Sequence, residues 1–285
     1  MRSEAFKRWR WEALPYLLYG AVSYLLFVAT FLYAIGFVET VLVPRNVDAG
    51  GLDAPLGAAL LVDGLLLTAF AVQHSGMARR GFKTLWTRVV PAPVERSTYV
   101  LCTSASLLLL FYFWRPIPRV IWSVEAAGPR MALLSLSGLG WGIVLLSSFL
   151  IHHFELFGLR QVYLAARQRE LPRPSFATPL LYKLARHPLY LGFIIAFWAT
   201  PTMTLGHLVF AAGTLGYIAV GIQLEERDLV RDYGAHYLRY RQRVRGLIPL
   251  PRIGAERPGP SVQQAPRSTG TATRPPSPEP AGYRK

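Results

Sequence analysis

The sequence predicts an all-α integral membrane protein with about six transmembrane helices and a C-terminal helical segment outside the lipid. Three observations carry this. Of the 285 residues, 52% are hydrophobic, and the mean hydropathy is +0.28, too apolar for an ordinary soluble domain. The apolar residues are bunched into long runs, most of them long enough to cross a hydrocarbon core of roughly 30 Å. The arginines lie in the loops beside those runs, where they orient a chain against anionic lipid. The net charge of +15 is therefore read as a membrane feature. No RNA- or DNA-binding motif is visible, and no nucleic-acid partner is expected. No strand pattern competes with the helices. Cys102 is the only cysteine, so no internal disulfide forms.

Residues 1–12 are basic and aromatic, with Lys7, Arg8, Trp9, Arg10 and Trp11, and form a short cytoplasmic N-terminus. The apolar run after them, 13–37, is too long for a signal-peptide core and has no small-residue cleavage site. It is the first span of a four-helix transmembrane region covering 13–151. The loop 38–54 carries Glu39, Asp48 and Asp53 against Arg45 and falls outside. The second span, 55–73, contains Asp63. A lone carboxyl in an apolar span faces the bundle interior. Asp63 and His74, eleven residues apart, share a helix face at about 100° per residue. They either line a site together or fix helix packing. The loop 74–96 is strongly basic and hence cytoplasmic. The third and fourth spans are 97–114 and 131–151.

The half from 152 to 250 begins polar and basic. Residues 188–223 are two apolar runs broken at Thr200-Pro201-Thr202, the pattern of a tight helical hairpin. Its first run is barely long enough to span, and a helix start near Leu180 repairs that. Residues 225–246 read as a helix outside the lipid. The tail 252–285 is rich in Pro, Ser, Thr and Arg and is expected to be disordered, since it cannot bury enough apolar surface to order itself.

The chemistry concentrates at Thr178–Gly192, which holds Arg186-His187-Pro188-Leu189-Tyr190 where the chain enters an apolar run. Proline in a first helical turn costs little, and the free N–H groups after it suit an anion. Glu225-Glu226 and then Asp232-Tyr-Gly-Ala-His-Tyr-Leu-Arg-Tyr-Arg follow. This Arg-His-Pro-x-Tyr-x-Gly, Glu-Glu, Gly-x-x-Tyr-x-x-Tyr order resembles the isoprenylcysteine carboxyl methyltransferase-like superfamily. The segments 73–80 (Gln-His-Ser-Gly-Met-Ala-Arg-Arg), 152–162 (His-His-Phe-Glu-Leu-Phe-Gly-Leu-Arg-Gln-Val) and 196–204 (Ala-Phe-Trp-Ala-Thr-Pro-Thr-Met-Thr) are similar to those of the membrane-bound methanethiol S-methyltransferases. Those enzymes lie in the branch that also holds the NnrU-type proteins.

The resemblance implies a membrane enzyme that methylates methanethiol to dimethyl sulfide by in-line S_N2 transfer from S-adenosylmethionine at the membrane–cytosol boundary. It makes 152–250 a cofactor-binding half. It implies cofactor contacts from Ser175, Phe176, Ala177, Tyr182, His187, Pro188, Leu189 and Tyr190, and from an acid at Glu225 or Glu226, with Gln223 an alternative alignment. Pro174 stands where the family has a histidine. The family's acceptor-carboxylate arginine has no match, because Gly213–Gly221 is uncharged; this favours a small neutral or thiol acceptor. His187 and Tyr190 are the leading catalytic candidates, with Glu155 or His153 nearer the acceptor. His74, His152 and Arg160 are also within reach. His207 and His236 are read as structural, and Tyr237 and Tyr240 as interfacial anchors or packing. No metal site is expected. The partners implied are the bilayer and a small thiol, methanethiol, with the oligomeric state open and both termini on the cytoplasmic side of a bacterial inner membrane. Two other readings stay open: the same fold acting on another small thiol, a lipid amine or a prenylcysteine, and a non-enzymatic NnrU-type membrane protein.

Overall fold

The computed structural model describes residues 2–172 and 176–249, with side chains from Ala13 onward. Ser175, the side chains of the basic N-terminus and the tail 252–285 lie outside the described residues. Five helices are long and apolar enough to cross a bilayer: α1 (Arg2–Glu39, spanning from Ala13), α2 (Leu56–Ala78), α4 (Ala92–Phe113), α5 (Ala127–Leu150) and α9 (Leu205–Tyr233). The protein is a multi-pass membrane protein. Leu18, Val22, Leu25 and Leu32 show why: spaced along one side of α1, they are 56–66% exposed, which is stable only against lipid. Short helices α3 (Arg80–Trp86), α6 (His153–Leu156), α7 (Leu159–Ala166) and α10 (Ala235–Arg243) sit beyond the ends of the spans.

The sixth apolar helix, α8 (Pro188–Trp198), has 11 residues. At 1.5 Å per residue that is about 16 Å, half a bilayer core. The expected helix start near Leu180 does not occur. Leu180–Lys183 is a 3₁₀ turn, and His187 is non-helical at φ −127°, ψ 60°, as its place before Pro188 requires. Beyond Trp198 the chain continues in the non-helical residues 199–204. Backbone groups here find partners within the protein, as apolar surroundings require. Val124 N donates to Pro201 O (2.8 Å), and at the end of α8 the Phe197 carbonyl takes His207 Nε2 (2.9 Å). β2 (Thr202–Thr204) pairs antiparallel with β1 (Val120–Ser123). This ribbon was absent from the sequence reading because β1, exposed along its whole length, carries no alternating pattern. The ribbon exists to give backbone groups partners.

The core lies toward this end of the bundle, around Phe37, Phe111, Trp114, Trp141, Phe197 and Phe210. Trp114 Nε1 donates to Val47 O (3.1 Å) in the 40–55 connection. Asp63 is fully buried, and its Oδ1 accepts the Arg115 backbone N–H (2.9 Å) just past the end of α4. His74, lower on α2, bonds Thr103 and Tyr99 of α4 (3.1 and 2.9 Å). The two share a face, as expected, and both fix α2 on α4, at two heights.

The tightest helix pair is α5 with α8. A Cβ on Gly192 would lie 2.7 Å from Gly140 O and 2.8 Å from Val144 N, and one on Gly140 would lie 2.6 Å from Ala196 N. Small residues let the two backbones touch, the usual means of joining helices in lipid. A correction applies at the C-terminal end, where a separate helix over 225–246 was expected. α9 instead runs without interruption through Glu225 and Glu226 to Tyr233. The break comes at Gly234, whose φ of +51° ends the helix, and α10 follows.

Candidate active site

The site is assembled where α8 begins. Residues 185–187 run alongside 244–246. Arg186 N donates to Arg245 O (2.9 Å) and His187 N to Gly246 O (3.0 Å). The Arg186 side chain, 9% exposed, ties three segments together. Its Nη1 donates to Val244 O (2.6 Å) and Arg241 O (3.2 Å), and its Nε and Nη2 donate to Glu226 Oε1 (2.8 and 2.5 Å). A planar guanidinium supplies such a fork where an ammonium cannot.

His187 is buried between two consecutive acids. Its Nε2 lies 3.2 Å from Glu226 Oε1 and its Nδ1 3.7 Å from Glu225 Oε2. The acids differ in surroundings. Glu226, with a side chain 14% exposed, is engaged by Arg186 and His187, with Arg241 Nη1 at 3.6 Å. Glu225 is 44% exposed, and among the described residues no arginine pairs with it. It faces the rings of Tyr182 and Tyr190. The Tyr190 ring lies 5.8 Å from that of His187. Burial, reinforced by Glu225, raises the Tyr182 phenol above its ordinary pKa, so it stays a neutral donor. Tyr240 donates to Tyr182 O (2.5 Å), and burial pushes its phenol up to about 12. Phe176 packs on Tyr233 and Tyr240, with ring centroids 5.2 and 5.5 Å away, and on the edge of fully buried Tyr237. Tyr237 therefore packs, as expected, and Ala177 beside Phe176 is exposed. Two clefts flank α10. One of about 410 Å³ is lined by Gln223, Glu226, Arg227, Val230 and Arg241. The other, about 320 Å³, lies between Phe176, Lys183 and the face of α10 carrying Arg239 and Arg243.

The structure thus gathers Tyr182, His187, Pro188, Leu189, Tyr190, Glu225 and Glu226 at one place, with Phe176 behind Tyr240. It sets His153 and Glu155 elsewhere. His153 stacks on Phe149 at 4.2 Å and has both ring nitrogens engaged, by Tyr24 and by Ser148 (2.9 Å each). Glu155 pairs with Arg160 (2.5 Å). His153 holds α6 to the bundle, and Glu155 joins α6 to α7. His152 is left-handed at φ +67° and precedes α6. His74 lies between two tyrosines: Tyr99 bonds it (2.9 Å), and Tyr217, which accepts from Ser75 (3.4 Å), meets its ring edge-on at 6.3 Å. His207 bonds the end of α8, a structural role as expected. His236 accepts from Arg239 (3.2 Å). Among the described residues, no group of three His, Cys, Asp or Glu converges as metal ligands would.

The sequence reading missed Arg186, Tyr99 and Tyr217. Arg186 was in view as part of Arg-His-Pro, but its partners come from Glu226 and the 241–244 backbone, about forty to sixty residues away. Tyr99 and Tyr217 carry no local signal, since each is one aromatic in an apolar helix.

No family model matches this chain, and no solved structure matches it. Curated relatives do. It is 56% identical over 235 residues to a methanethiol S-methyltransferase of Mycobacterium tuberculosis, covering 82% of this chain and 96% of that one. It is 56% identical over 232 residues to methanethiol S-methyltransferase 1 of Bradyrhizobium diazoefficiens, covering 81% of each. It is 31% identical over 251 residues to nurim of Xenopus laevis, covering 77% and 83%.

Proposed function

The chain belongs to the methanethiol S-methyltransferases, a family of enzymes, and on that premise we propose that it methylates methanethiol to dimethyl sulfide with S-adenosylmethionine as the methyl donor. The observation that supports this donor is the contrast between Glu225 and Glu226. Glu226 is occupied in holding the site together. Glu225 offers a half-exposed carboxylate between Tyr182, His187 and Tyr190. That set suits a small molecule with an ammonium, a sulfonium, a ribose diol and an aromatic base. The free N–H groups of the first turn of α8, at Leu189 and Tyr190, suit its carboxylate.

When bound, the donor supplies an electrophilic methyl group on a positively charged sulfur. This chain's residues do the rest. Glu225 takes the cationic end. His187, fixed by Glu226, sets the position of the donor, and Tyr190 forms the wall facing the bundle. The nucleophile is the thiolate rather than the thiol, so a proton must leave. His153 and Glu155 already have bonded partners. His74, bonded to Thr103 and Tyr99, is equally engaged. Orientation and the exclusion of water supply much of the rate.

We infer that the arginine-rich end carrying the site faces the cytoplasm, by the excess of basic residues in its loops, and that the membrane is a bacterial inner membrane. The test is headspace detection of dimethyl sulfide from membranes expressing the chain, supplied with methanethiol and S-adenosylmethionine, with His187→Ala alongside. Product from the wild type alone is expected. Membranes that hold the protein and bind the donor but yield no dimethyl sulfide would overturn the acceptor. Failure to bind the donor would overturn the donor.

A further inference from the structure

We propose that the cleft of about 320 Å³ between the Leu180–Lys183 turn and α10 is a binding site for the phosphate of an anionic phospholipid. His236, Arg239, Tyr240 and Arg243 recur at three, four and seven residues, so they form one face of α10. Lys183 closes the cleft from the opposite side. Of the acids on α9, Glu226 has Arg186 and Arg241, Asp228 has Arg79 and Arg231, Asp232 has Arg80, and Glu225 lies against His187. Among the described residues, Lys183, Arg239 and Arg243 have no carboxylate within ion-pair distance. His236 accepts a hydrogen bond from Arg239, so it turns that guanidinium rather than neutralising it. Three uncompensated cations around one cleft call for an anion, and a phosphate takes charge-assisted bonds from several donors at once.

The position of the cleft identifies the phosphate's source. Lys183 lies five residues before Pro188, where α8 enters the apolar region. Leu180 and Leu184, on either side of Lys183 in this turn, are 66% and 55% exposed. A soluble phosphate has no use for two bare leucines beside its site. A lipid sets its acyl chains there with the phosphate above them, at the depth where basic side chains meet anionic headgroups. The bound lipid would pin the turn that leads through Arg186 to His187. Arg241 faces the other way, toward Glu226, so this site is separate from the acid pair. It shares Phe176, Tyr240 and Val244 with the surroundings of the proposed donor site.

The test uses the full-length protein in neutral detergent. Native mass spectrometry and melting temperature are read after exposure to phosphatidylglycerol, phosphatidylcholine or inorganic phosphate. Lys183→Gln/Arg239→Gln/Arg243→Gln is compared with Arg167→Gln/Arg169→Gln, which removes exposed charge elsewhere. The wild type and the Arg167/Arg169 variant are expected to keep one phosphatidylglycerol and to melt several degrees higher with it than with phosphatidylcholine. The triple variant is expected to lose both effects. If it misfolds, Arg243→Gln alone should show at least a tenfold weaker retention. Equal stabilisation by inorganic phosphate would overturn the lipid as the source. Retention by the triple variant would overturn the site. Displacement of the lipid by S-adenosylhomocysteine would give the cleft to the donor instead.

Discussion

One carboxylate oxygen of Glu226, Oε1, receives both Nε and Nη2 of Arg186, at 2.8 and 2.5 Å. The side chains are 14% and 9% exposed. This pair is what turns a loop, the end of a span and the region around α10 into one site. Removing one member leaves the other buried without its partner, which costs about 3–5 kcal/mol. Glu226→Gln should therefore lower the melting temperature in detergent markedly. Arg186→Lys should fail to restore it, because an ammonium cannot make the fork and also reach Val244 O and Arg241 O. A melting temperature for Arg186→Lys equal to wild type would show that charge alone matters.

Glu225 should behave differently although it is the next residue. It is half exposed and among the described residues no arginine pairs with it, so Glu225→Gln should change stability by no more than about 0.5 kcal/mol. It should weaken binding of S-adenosylhomocysteine by at least roughly tenfold, about 1.4 kcal/mol, when titrated calorimetrically. Equal affinity in the two proteins would remove Glu225 from the donor site. A change in stability as large as that of Glu226→Gln would make it a second structural acid.

Much of this was legible in the sequence, and the reasons divide cleanly. Long apolar runs report burial in lipid directly, so four spans were placed to within a few residues. Arg-His-Pro and Glu-Glu carry local chemistry, and they do meet. What escaped was non-local. The short α8 and its strand extension depend on hydrogen-bond partners at Val124 and His207, which leave no periodic mark. The split between Glu225 and Glu226 depends on which way each side chain leaves α9. The glutamates read as equivalent until Arg186 is seen to hold one of them. Membership of an enzyme family sets aside the non-enzymatic reading.

His153 gives a pH prediction. Burial lowers its pKa below the ordinary 6.5, because a charged ring would be held between Phe149 and Phe157. Between the two values the unfolded chain holds a proton that the native one does not. Stability from this residue is then complete above about pH 6.5 and declines as pH falls below it. The melting temperature of purified protein should drop from pH 7.5 to pH 5.5, and His153→Gln should show a shallower drop. Parallel profiles would mean that other groups set the acid sensitivity.

The contact of α5 with α8 makes the site sensitive to a change within the bilayer. A side chain at Gly192 meets Gly140 O at 2.7 Å and Val144 N at 2.8 Å, and both are backbone atoms that cannot rotate away. Gly192→Val must push the two helices apart, at a cost of about 1–3 kcal/mol or more for overpacking. The displacement would carry Tyr190 and His187, two and five residues earlier, away from α9. Gly192→Val should therefore lose both stability and dimethyl sulfide formation. Gly142→Val, on the same helix pair but with open space around its Cβ, should keep both. If the two variants behave alike, then close backbone approach is not what fixes the start of α8.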